Sequence, residues 1–260
     1  MIAASSPKIA AIIPARMAST RFPGKPLLKV CDLPMIEHVR RRTLLCKGFS
    51  EVIVATCDPE IVDVVESFGG KCIMTSDQHK VATERIVEAM QKLDCTHVVN
   101  VQGDEILILP QDLETMLATI LENPQGPLWN AYASLQNLGE LWETSIVKCI
   151  LNKHEQFMFC ARNFSNLPLP KDGSLPPAQM VLGILGYTRS FLEKFSLLEQ
   201  TPLEILESIE QFRFLEYGFP VRGVKFTKNY PGINTPAEAK LVQEILAIDK
   251  IQQSILEKIL

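Results

Sequence analysis

The sequence lacks any pair of cysteines at a Cys-x-x-Cys spacing. Its seven cysteines are an odd number and lie scattered along 260 residues. Several stand inside apolar runs, where a free thiol behaves as a small buried hydrophobic group. This pattern argues against a disulfide framework and against a zinc site, and it favours a reducing compartment.

Long apolar segments are absent as well. No run approaches the roughly 18 consecutive apolar residues that a membrane helix needs. The first eight residues lack the basic start and the apolar stretch of a signal peptide. We therefore expect a cytoplasmic protein that does not enter a membrane.

There is no excess of positive charge. The formal net charge is −4, which argues against a broad surface for nucleic acid or lipid headgroups. The hydrophobic fraction of 47% and the charged fraction of 22% are ordinary for a globular protein with a large core. Any anion that the protein binds must be held by a local cluster of arginine and lysine.

Strand-like and helix-like patterns alternate through the first hundred residues. The strands are predicted at 9–14, 51–56, 71–74 and 97–102, and the helices at 34–46, 59–68 and 81–92. This alternation predicts βαβ units and a mostly parallel sheet covered on both faces. Ligands bind such sheets at the carboxyl ends of the strands. The loop 16–25 and Asp104 each follow a predicted strand, so we expect them at the same edge.

The second half of the sequence is less regular. Strands are predicted at 147–151 and 181–187, a loop at 171–177, and one long helical stretch at 202–217. The sequence shows no internal repeat and no linker long enough to separate two independent domains. We therefore predict a single domain over residues 1–260.

The loop after the first strand has the chemistry that a triphosphate requires. Within ten residues it combines three cations, two hydroxyl donors and one glycine, namely Arg16, Arg21, Lys25, Ser19, Thr20 and Gly24. Backbone amides, side-chain donors and fixed cations together hold phosphate groups. The loop is not a Walker A sequence, because Gly-x-x-x-x-Gly-Lys-Ser/Thr is absent. On composition alone, a solvated basic turn is about as good an interpretation.

The order of the residues adds a resemblance. The segment 12–27, IIPARMASTRFPGKPL, closely resembles the signature loop of the sugar-acid cytidylyltransferases, in particular the 3-deoxy-manno-octulosonate (KDO) cytidylyltransferase family. Three further segments resemble that family in the same order, at 99–105 (VNVQGDE), 202–213 (PLE through EQFR) and 232–236 (GINTP), with a weaker one at 74–85. The resemblance covers residues 9–245, nearly the whole chain.

The resemblance implies a fold and a reaction. The fold is α/β, with a mostly parallel, doubly wound central sheet of the nucleotide-sugar transferase type and a small dimerisation and sugar-binding subdomain. Residues 9–110 would form the nucleotide-binding half, residues 111–245 the sugar-binding and dimerisation half, and residues 246–260 a C-terminal helix. The reaction is CTP plus a 2-keto sugar acid giving a CMP-sugar and diphosphate, for cell-surface lipopolysaccharide. Mg²⁺ and cationic side chains would neutralise the charge that grows at the phosphates.

The resemblance also implies roles for individual residues. Arg16, Lys25 and Asp104 would be catalytic, and Asp104 and Asn234 would be the metal ligands. Nucleotide contacts are expected from Ala15, Arg16, Ser19, Lys25, Thr83, Arg85 and Gln102. Sugar contacts are expected from Arg162, Tyr187, Glu207, Glu210 and Gln211. A homodimer contact is expected from Phe212, Phe214, Leu215 and Tyr217.

Each role has a plainer alternative that the residues alone leave open. Asp104 could be an acidic turn residue after a strand, and Arg85 a cation on a helix surface. The glutamates of the sugar-binding set could form a solvated helix face. The aromatic residues of the expected dimer contact could equally belong to the core.

The sequence departs from the family pattern at several positions. Val81-Ala82 replaces Ser-Gly, Ala161 replaces serine, and Val181 replaces histidine. Asn234 replaces aspartate, which removes a full negative charge beside a divalent cation, an effect on the order of several kcal/mol at short range. Residues 106–110 also contain one residue more than the family's turn.

Two hypotheses account for these departures. The first is an active cytidylyltransferase with a shifted sugar-acid preference or a lower turnover. The second is a weak or inactive homologue that keeps nucleotide binding as a sensor or partner protein. We favour the first, because a chain released from catalysis would not be expected to keep Arg16, Lys25 and Asp104 together.

Overall fold

The structure, a computed structural model, describes residues 6–19, 21–79, 81–165 and 167–260. Thr20, expected as a hydroxyl donor of the triphosphate loop, lies outside the described residues. The chain divides into two compact units. The first unit contains the residues up to Leu117 together with Tyr230–Leu260, and the second is Ala118–Asn229. The predicted boundaries at residues 110 and 245 stay a prediction.

The first part of the chain forms strands and helices in alternation: β1 (Ile9–Ala15), β2 (Lys29–Val30), β3 (Leu33–Pro34), α1 (Met35–Leu45), β4 (Glu51–Thr56), α2 (Pro59–Ser67), β5 (Lys71–Met74), α3 (Ala82–Gln91), β6 (His97–Val101) and α4 (Pro110–Glu122). The remaining elements are β7 (Leu128–Ser134), α5 (Leu138–Trp142), β8 (Lys148–Leu151), β9 (Phe157–Ala161), β10 (Ala178–Thr188), α6 (Arg189–Phe195), α7 (Pro202–Glu207), α8 (Gln211–Glu216), β11 (Arg222–Lys225), α9 (Pro236–Ile248) and α10 (Lys250–Ile259).

The sheet of the first unit is parallel. Its strands lie in the order β6-β1-β4-β5, and each neighbouring pair runs in the same direction. All seven residues of β1 are buried, as expected for a strand covered on both faces. Ile12 of β1 lies opposite Ile53 of β4 on one side and Asn100 of β6 on the other. The predicted α/β fold with a mostly parallel sheet is confirmed.

This arrangement sets the position of the loops. Because the four strands are parallel, their carboxyl ends meet at one edge of the sheet. The loop 16–25 follows β1, Cys57 and Asp58 follow β4, and Gln102 to Asp104 follow β6. A single sheet edge in the first unit therefore carries most of the residues that the sequence predicted for nucleotide binding, and the other two, Thr83 and Arg85, lie in α3.

The C-terminal helices pack within the first unit on a polar contact. Arg42 of α1 is fully buried, and its Nη1 donates to Gln252 Oε1 of α10 at 2.7 Å. Burial lowers the pKa of Arg42 to about 10. Gln252 Nε2 in turn donates to the carbonyl of Leu107 at 2.9 Å. The last helix is thus tied both to α1 and to the chain just after Asp104.

The second unit contains an antiparallel sheet. Strand β10 pairs antiparallel with β7 and β8, β8 pairs antiparallel with β9, and β11 runs parallel to β7. The predicted loop at 171–177 contains no regular element. Strands β7, β9 and β11 were not predicted from the sequence.

The prediction of one long helical stretch over 202–217 was wrong. The segment forms two short helices, α7 and α8, separated at Ser208, whose φ of 53° lies in the left-handed region. Glu204 and Arg213 form a buried ion pair, with Arg213 Nε donating to Glu204 Oε2 at 2.7 Å. This pair holds the two helices against each other, so the tertiary contact outweighs local helix propensity.

None of the helices in the described ranges is long and apolar enough to cross a membrane.

Candidate active site

A pocket of about 270 Å³ lies in the first unit, at the sheet edge where the loops gather. The predicted nucleotide and metal residues that line it are Ala15, Arg16, Ser19, Lys25, Arg85, Gln102, Asp104 and Asn234. Thr83 is the exception, because its side chain is fully buried in α3. Val81 and Ala82, which depart from the family pattern, line the same pocket.

Lys25 is the centre of the polar contacts in this pocket. Its Nζ donates to Asp104 Oδ2 at 2.9 Å, to the carbonyl of Ile233 at 3.0 Å and to Asn234 Oδ1 at 3.3 Å. The side chains of Lys25 and Asp104 are 16% and 26% exposed, so solvent screens this ion pair less than a surface pair. The structure thus brings the predicted cation and both predicted metal ligands to one point.

Two close backbone approaches allow this convergence. A Cβ on Gly232 would lie 2.8 Å from the carbonyl oxygen of Asp104, and the Ile233 amide donates to that same oxygen at 3.1 Å. A Cβ on Gly103 would lie 2.8 Å from the carbonyl oxygen of Pro14. Only glycine fits at both places, which explains why Gly-Asp and Gly-Ile-Asn occur where they do.

The other two cations of the loop differ in their environment. Arg21 Nη2 donates to Asn234 Oδ1 at 3.2 Å, so the amide oxygen of Asn234 accepts from two cations. Arg16 is exposed at the pocket, and no hydrogen bond or ion pair joins it to another residue in the described part of the chain.

Two hydrogen bonds donated by backbone amides close the loop that carries these cations. The amide of Gly24, with φ 74°, donates to the carbonyl of Met17 at 3.0 Å. The amide of Phe22 donates to Ser19 Oγ at 3.3 Å. The loop is thus a compact turn, in which a left-handed glycine precedes Lys25.

Arg85 is not the helix-surface cation of the plainer interpretation. Its side chain is 4% exposed and lines the pocket from the start of α3. One guanidinium nitrogen donates to Thr75 Oγ1, and Nη2 donates to Cys57 Sγ at 3.4 Å. Arg85 therefore supports the pocket wall at the ends of β4 and β5.

His79 lines the pocket and was not among the predicted site residues. Its Nε2 lies 2.6 Å from Glu88 Oε2, and the same carboxylate oxygen accepts from the amide of Ser76 at 2.9 Å. The Ser76 hydrogen bond, with a smaller contribution from His79, lowers the pKa of Glu88. Only the weak similarity at 74–85 could have drawn attention to this histidine.

The residues predicted for the sugar lie in the second unit, and Arg162 is engaged there. Its Nε donates to the carbonyl of Glu207 at 3.0 Å, Nη1 to those of Thr144 and Ser145, each at 3.2 Å, and Nη2 to that of Ser208 at 3.3 Å. Four of its five N–H groups thus bind backbone carbonyls. Arg162 connects β9 to the end of α7.

Other predicted sugar residues also have contacts inside the second unit. Tyr187 is fully buried, stacks on Phe191 with a centroid separation of 6.2 Å, and packs edge-on against Phe214. Gln211 Nε2 donates to Asn130 Oδ1 at 2.8 Å. Glu207 Oε2 accepts from the Arg162 amide at 3.4 Å, and Glu210 is half-buried. Their contact with a sugar stays a prediction.

The candidate dimer residues divide between core and surface. Phe212 and Phe214 are buried in the core, Leu215 is half-buried, and Tyr217 is 45% exposed. Val181 and Ala161, two of the departures from the family pattern, lie in β10 and β9 respectively.

Comparison with known proteins identifies the family to which this chain is related. Residues 10–227 match the model of the family described as Cytidylyltransferase. The chain is 37% identical over 240 residues to 3-deoxy-manno-octulosonate cytidylyltransferase of Escherichia coli, covering 92% of this chain and 96% of that protein. The chain belongs to this cytidylyltransferase family. Both the resemblance stated from the motifs and the predicted enzyme class are confirmed.

Two further relatives of the family add detail. A solved structure of CMP:2-keto-3-deoxy-manno-octonic acid synthetase complexed with CTP matches with a TM-score of 0.87 and 36% identity, over 92% of this chain and 98% of that one. The 8-amino-3,8-dideoxy-manno-octulosonate cytidylyltransferase of Shewanella pealeana is also 36% identical, over 243 residues covering 92% of this chain and 98% of that protein. The names of these relatives state different sugars, although the relatives are about equally similar to this chain.

Proposed function

We propose that this cytidylyltransferase transfers a CMP group from CTP to a 2-keto-3-deoxy sugar acid of the KDO type, for lipopolysaccharide synthesis. The observation that carries the proposal is the convergence of Lys25, Asp104 and Asn234 at one point of a pocket that Arg16 and Arg21 also line. Relatives that carry this activity in their names cover 92% of the chain.

The reaction is a displacement at phosphorus. The anomeric hydroxyl of the sugar loses its proton to water as its oxygen forms a bond to the α-phosphorus of CTP. The bond between the α-phosphorus and the oxygen that bridges to the β-phosphorus breaks, and diphosphate leaves with that electron pair. No nucleophilic serine or cysteine is needed, because positioning and charge stabilisation supply most of the catalysis. Arg16 and Lys25 hold the triphosphate in this proposal, and Ala15, Ser19, Arg85 and Gln102 surround the nucleotide.

The two side-chain oxygens that accept from Lys25 are of a kind that binds Mg²⁺. Asp104 Oδ2 and Asn234 Oδ1 both lie within 3.3 Å of the same ammonium nitrogen, so one carboxylate and one amide oxygen face a common point. Mg²⁺ is usually held by one or two carboxylates, with phosphate oxygens and water filling the other positions. When bound there, Mg²⁺ would neutralise charge on the phosphates. No cluster of three acidic, histidine or cysteine ligands occurs among the described residues, which suits an ion that arrives with the triphosphate.

The sugar is proposed only as a class. The two sugars named by relatives of 36–37% identity differ by an amino group, so overall similarity does not choose between them. Glu207, Glu210 and Gln211 remain proposed to contact the sugar, whereas Arg162, bound to backbone carbonyls, and Tyr187, fully buried, are proposed to support the sugar site from within the second unit. A panel of 2-keto-3-deoxy acids with a hydroxyl or an amine at carbon 8 would identify the substrate.

We also propose a homodimer that forms in the cytoplasm. The second unit exposes apolar side chains on α7, with Ile205 and Leu206 63% and 77% exposed. Burying such side chains between two copies would remove apolar surface from water. All seven cysteines are free thiols, which suits a reducing compartment. Analytical ultracentrifugation tests the dimer, and a monomer at micromolar concentration would exclude it.

The activity is tested by measuring diphosphate release with CTP, Mg²⁺ and the sugar panel. We expect release with at least one KDO-type acid, and none when the sugar is omitted. Measurable CTP binding without release from any sugar would instead support the second hypothesis, a nucleotide-binding protein that has lost transferase activity. Replacing CTP by the other nucleoside triphosphates in the same assay establishes the base preference.

A further inference from the structure

Asp58 occupies a helix N-cap but does not cap its helix. It directly precedes α2, with Pro59 in the first helical position, and its side chain makes no hydrogen bond to the amides of that helix. An aspartate at an N-cap normally accepts from the second or third backbone amide of its own helix. Here Asp58 Oδ2 instead accepts the amide of Met17 at 2.8 Å, in the loop after β1.

This contact holds one side of the triphosphate loop. The Met17 amide is bound by Asp58, and the Met17 carbonyl accepts from the Gly24 amide at 3.0 Å. Arg16 directly precedes Met17, and Lys25 directly follows Gly24. The two hydrogen bonds of Met17 therefore set the spacing between the cations that face the pocket.

The Asp58 carboxylate is itself held in place. The backbone amide of Asp58 donates to Thr56 Oγ1 at 3.1 Å, and Thr56 is fully buried. The Cys57 thiol donates to Asp58 Oδ2 at 3.6 Å, and Cys57 Sγ accepts from Arg85 Nη2 at 3.4 Å. A continuous series of contacts thus runs from Arg85 on the pocket wall through Cys57 to Asp58 and Met17.

We infer that Asp58 is a positioning residue for the triphosphate of CTP. Asp58 is not among the residues that line the pocket; it fixes Met17, and through Met17 the separation of Arg16 from Lys25. A carboxylate that accepts a backbone amide makes a stronger hydrogen bond than a neutral acceptor. Small displacements of groups that hold a substrate weaken binding and slow catalysis. The inference rests on the proposed function, because it assumes that CTP is the ligand of this loop.

The decisive variant is Asp58→Ser. Serine is a good N-cap and can still bind its own helix, but its hydroxyl is too short to reach Met17 as the carboxylate does. We expect the Kd for CTP to rise about tenfold, because a loop that has lost this hydrogen bond must be ordered when CTP binds. The KM for CTP should rise with it, while kcat at saturating CTP should change less. Hydrogen exchange at the Met17 amide should become faster.

Two further variants separate positioning from general stability. Asp58→Asn keeps an oxygen that can accept the Met17 amide, so it should restore most of the CTP affinity and the slow exchange. Asn137→Ala removes a cap that acts only on its own helix, where Asn137 Oδ1 accepts the Glu140 amide at 3.1 Å. It should lower the unfolding midpoint without changing CTP affinity or Met17 exchange.

The inference is overturned if Asp58→Ser leaves both the Kd for CTP and the Met17 exchange unchanged, whatever its effect on stability. If Asp58→Ser does not fold, Asp58→Gly carries the test, because glycine is tolerated at an N-cap and has no acceptor for the Met17 amide; unchanged CTP affinity and unchanged Met17 exchange in that variant would also overturn the inference. A wild-type chain that binds no CTP would overturn the proposed function. In that case the exchange data still decide whether Asp58 holds the loop.

Discussion

The two units use predicted arginines in opposite ways. In the first unit, Arg16 is exposed at the pocket and bonded to no other residue in the described ranges. In the second unit, Arg162 gives four N–H groups to backbone carbonyls, two at the end of α7 and two in the segment after α5. Arg162 was identified only from the family resemblance, whereas the composition of its loop had already drawn attention to Arg16. The difference shows that a motif can locate a cation without indicating whether its donors serve a ligand or the scaffold.

Lys25 lies between these two cases. Its ammonium group is occupied by Asp104, Ile233 and Asn234, yet the side chain lines the pocket. Two of its three acceptors are side chains that could bind a metal, whereas every acceptor of the Arg162 guanidinium is a backbone carbonyl. An ion pair between side chains can exchange partners, while a set of backbone carbonyls stays with the fold.

The largest expected effect comes from Lys25→Met. Removing a cation that stabilises charge at the transferred phosphate should lower kcat/KM for diphosphate release by about a thousandfold. Lys29→Met is the matched control, because Lys29 is an exposed lysine four residues away that does not line the pocket. Equal activity of the two variants would mean that the Lys25 cluster is structural.

The variants Arg162→Ala and Arg16→Ala test whether the two arginines differ in their contribution to stability. Arg162→Ala loses the four contacts with backbone carbonyls, so its free energy of unfolding should fall by about 2 kcal/mol. Arg16→Ala should change it by less than about 0.5 kcal/mol, as for an exposed side chain, while raising the KM for CTP. Urea denaturation and steady-state kinetics measure the two quantities. A stable Arg162→Ala protein with a raised KM for the sugar would assign Arg162 to the ligand instead of the scaffold.

A smaller effect is expected from Asn234→Asp. A carboxylate beside Asp104 adds a negative charge where Mg²⁺ is proposed to bind, so the Mg²⁺ concentration for half-maximal CTP binding should fall about tenfold. Asn123→Asp adds the same charge at an exposed position of the second unit and should leave the Mg²⁺ dependence unchanged. An unchanged Mg²⁺ requirement in Asn234→Asp would show that position 234 does not contact the metal.

The sequence predicted the first unit better than the second for a physical reason. Strands β1 and β4 are largely buried apolar runs, and β5 is a short β-rich run that directly follows Gly69-Gly70, so local patterns suffice to locate them. The break at Ser208 depends on a left-handed non-glycine residue and on the buried Glu204–Arg213 pair. Neither a rare backbone conformation nor a distant ion pair is visible in periodicity.

The same limit applies to the site. Arg16, Lys25 and Asp104 could be predicted because each lies in a short segment that follows a strand. The carbonyl of Ile233 and the reach of Asp58 to Met17 could not, since both depend on how distant segments meet. Asp58 in particular looks like an ordinary helix cap in the sequence.

The ion pair between Lys25 and Asp104 has a consequence for the order of binding. Each group neutralises the other in the chain by itself, at a distance of 2.9 Å. A free phosphate would compensate Lys25 and leave Asp104 without its cation, and free Mg²⁺ would do the reverse. A magnesium–triphosphate complex delivers both charges in a single event. Under the proposed function, the pair therefore favours binding of the magnesium–triphosphate complex over binding of free triphosphate or free Mg²⁺.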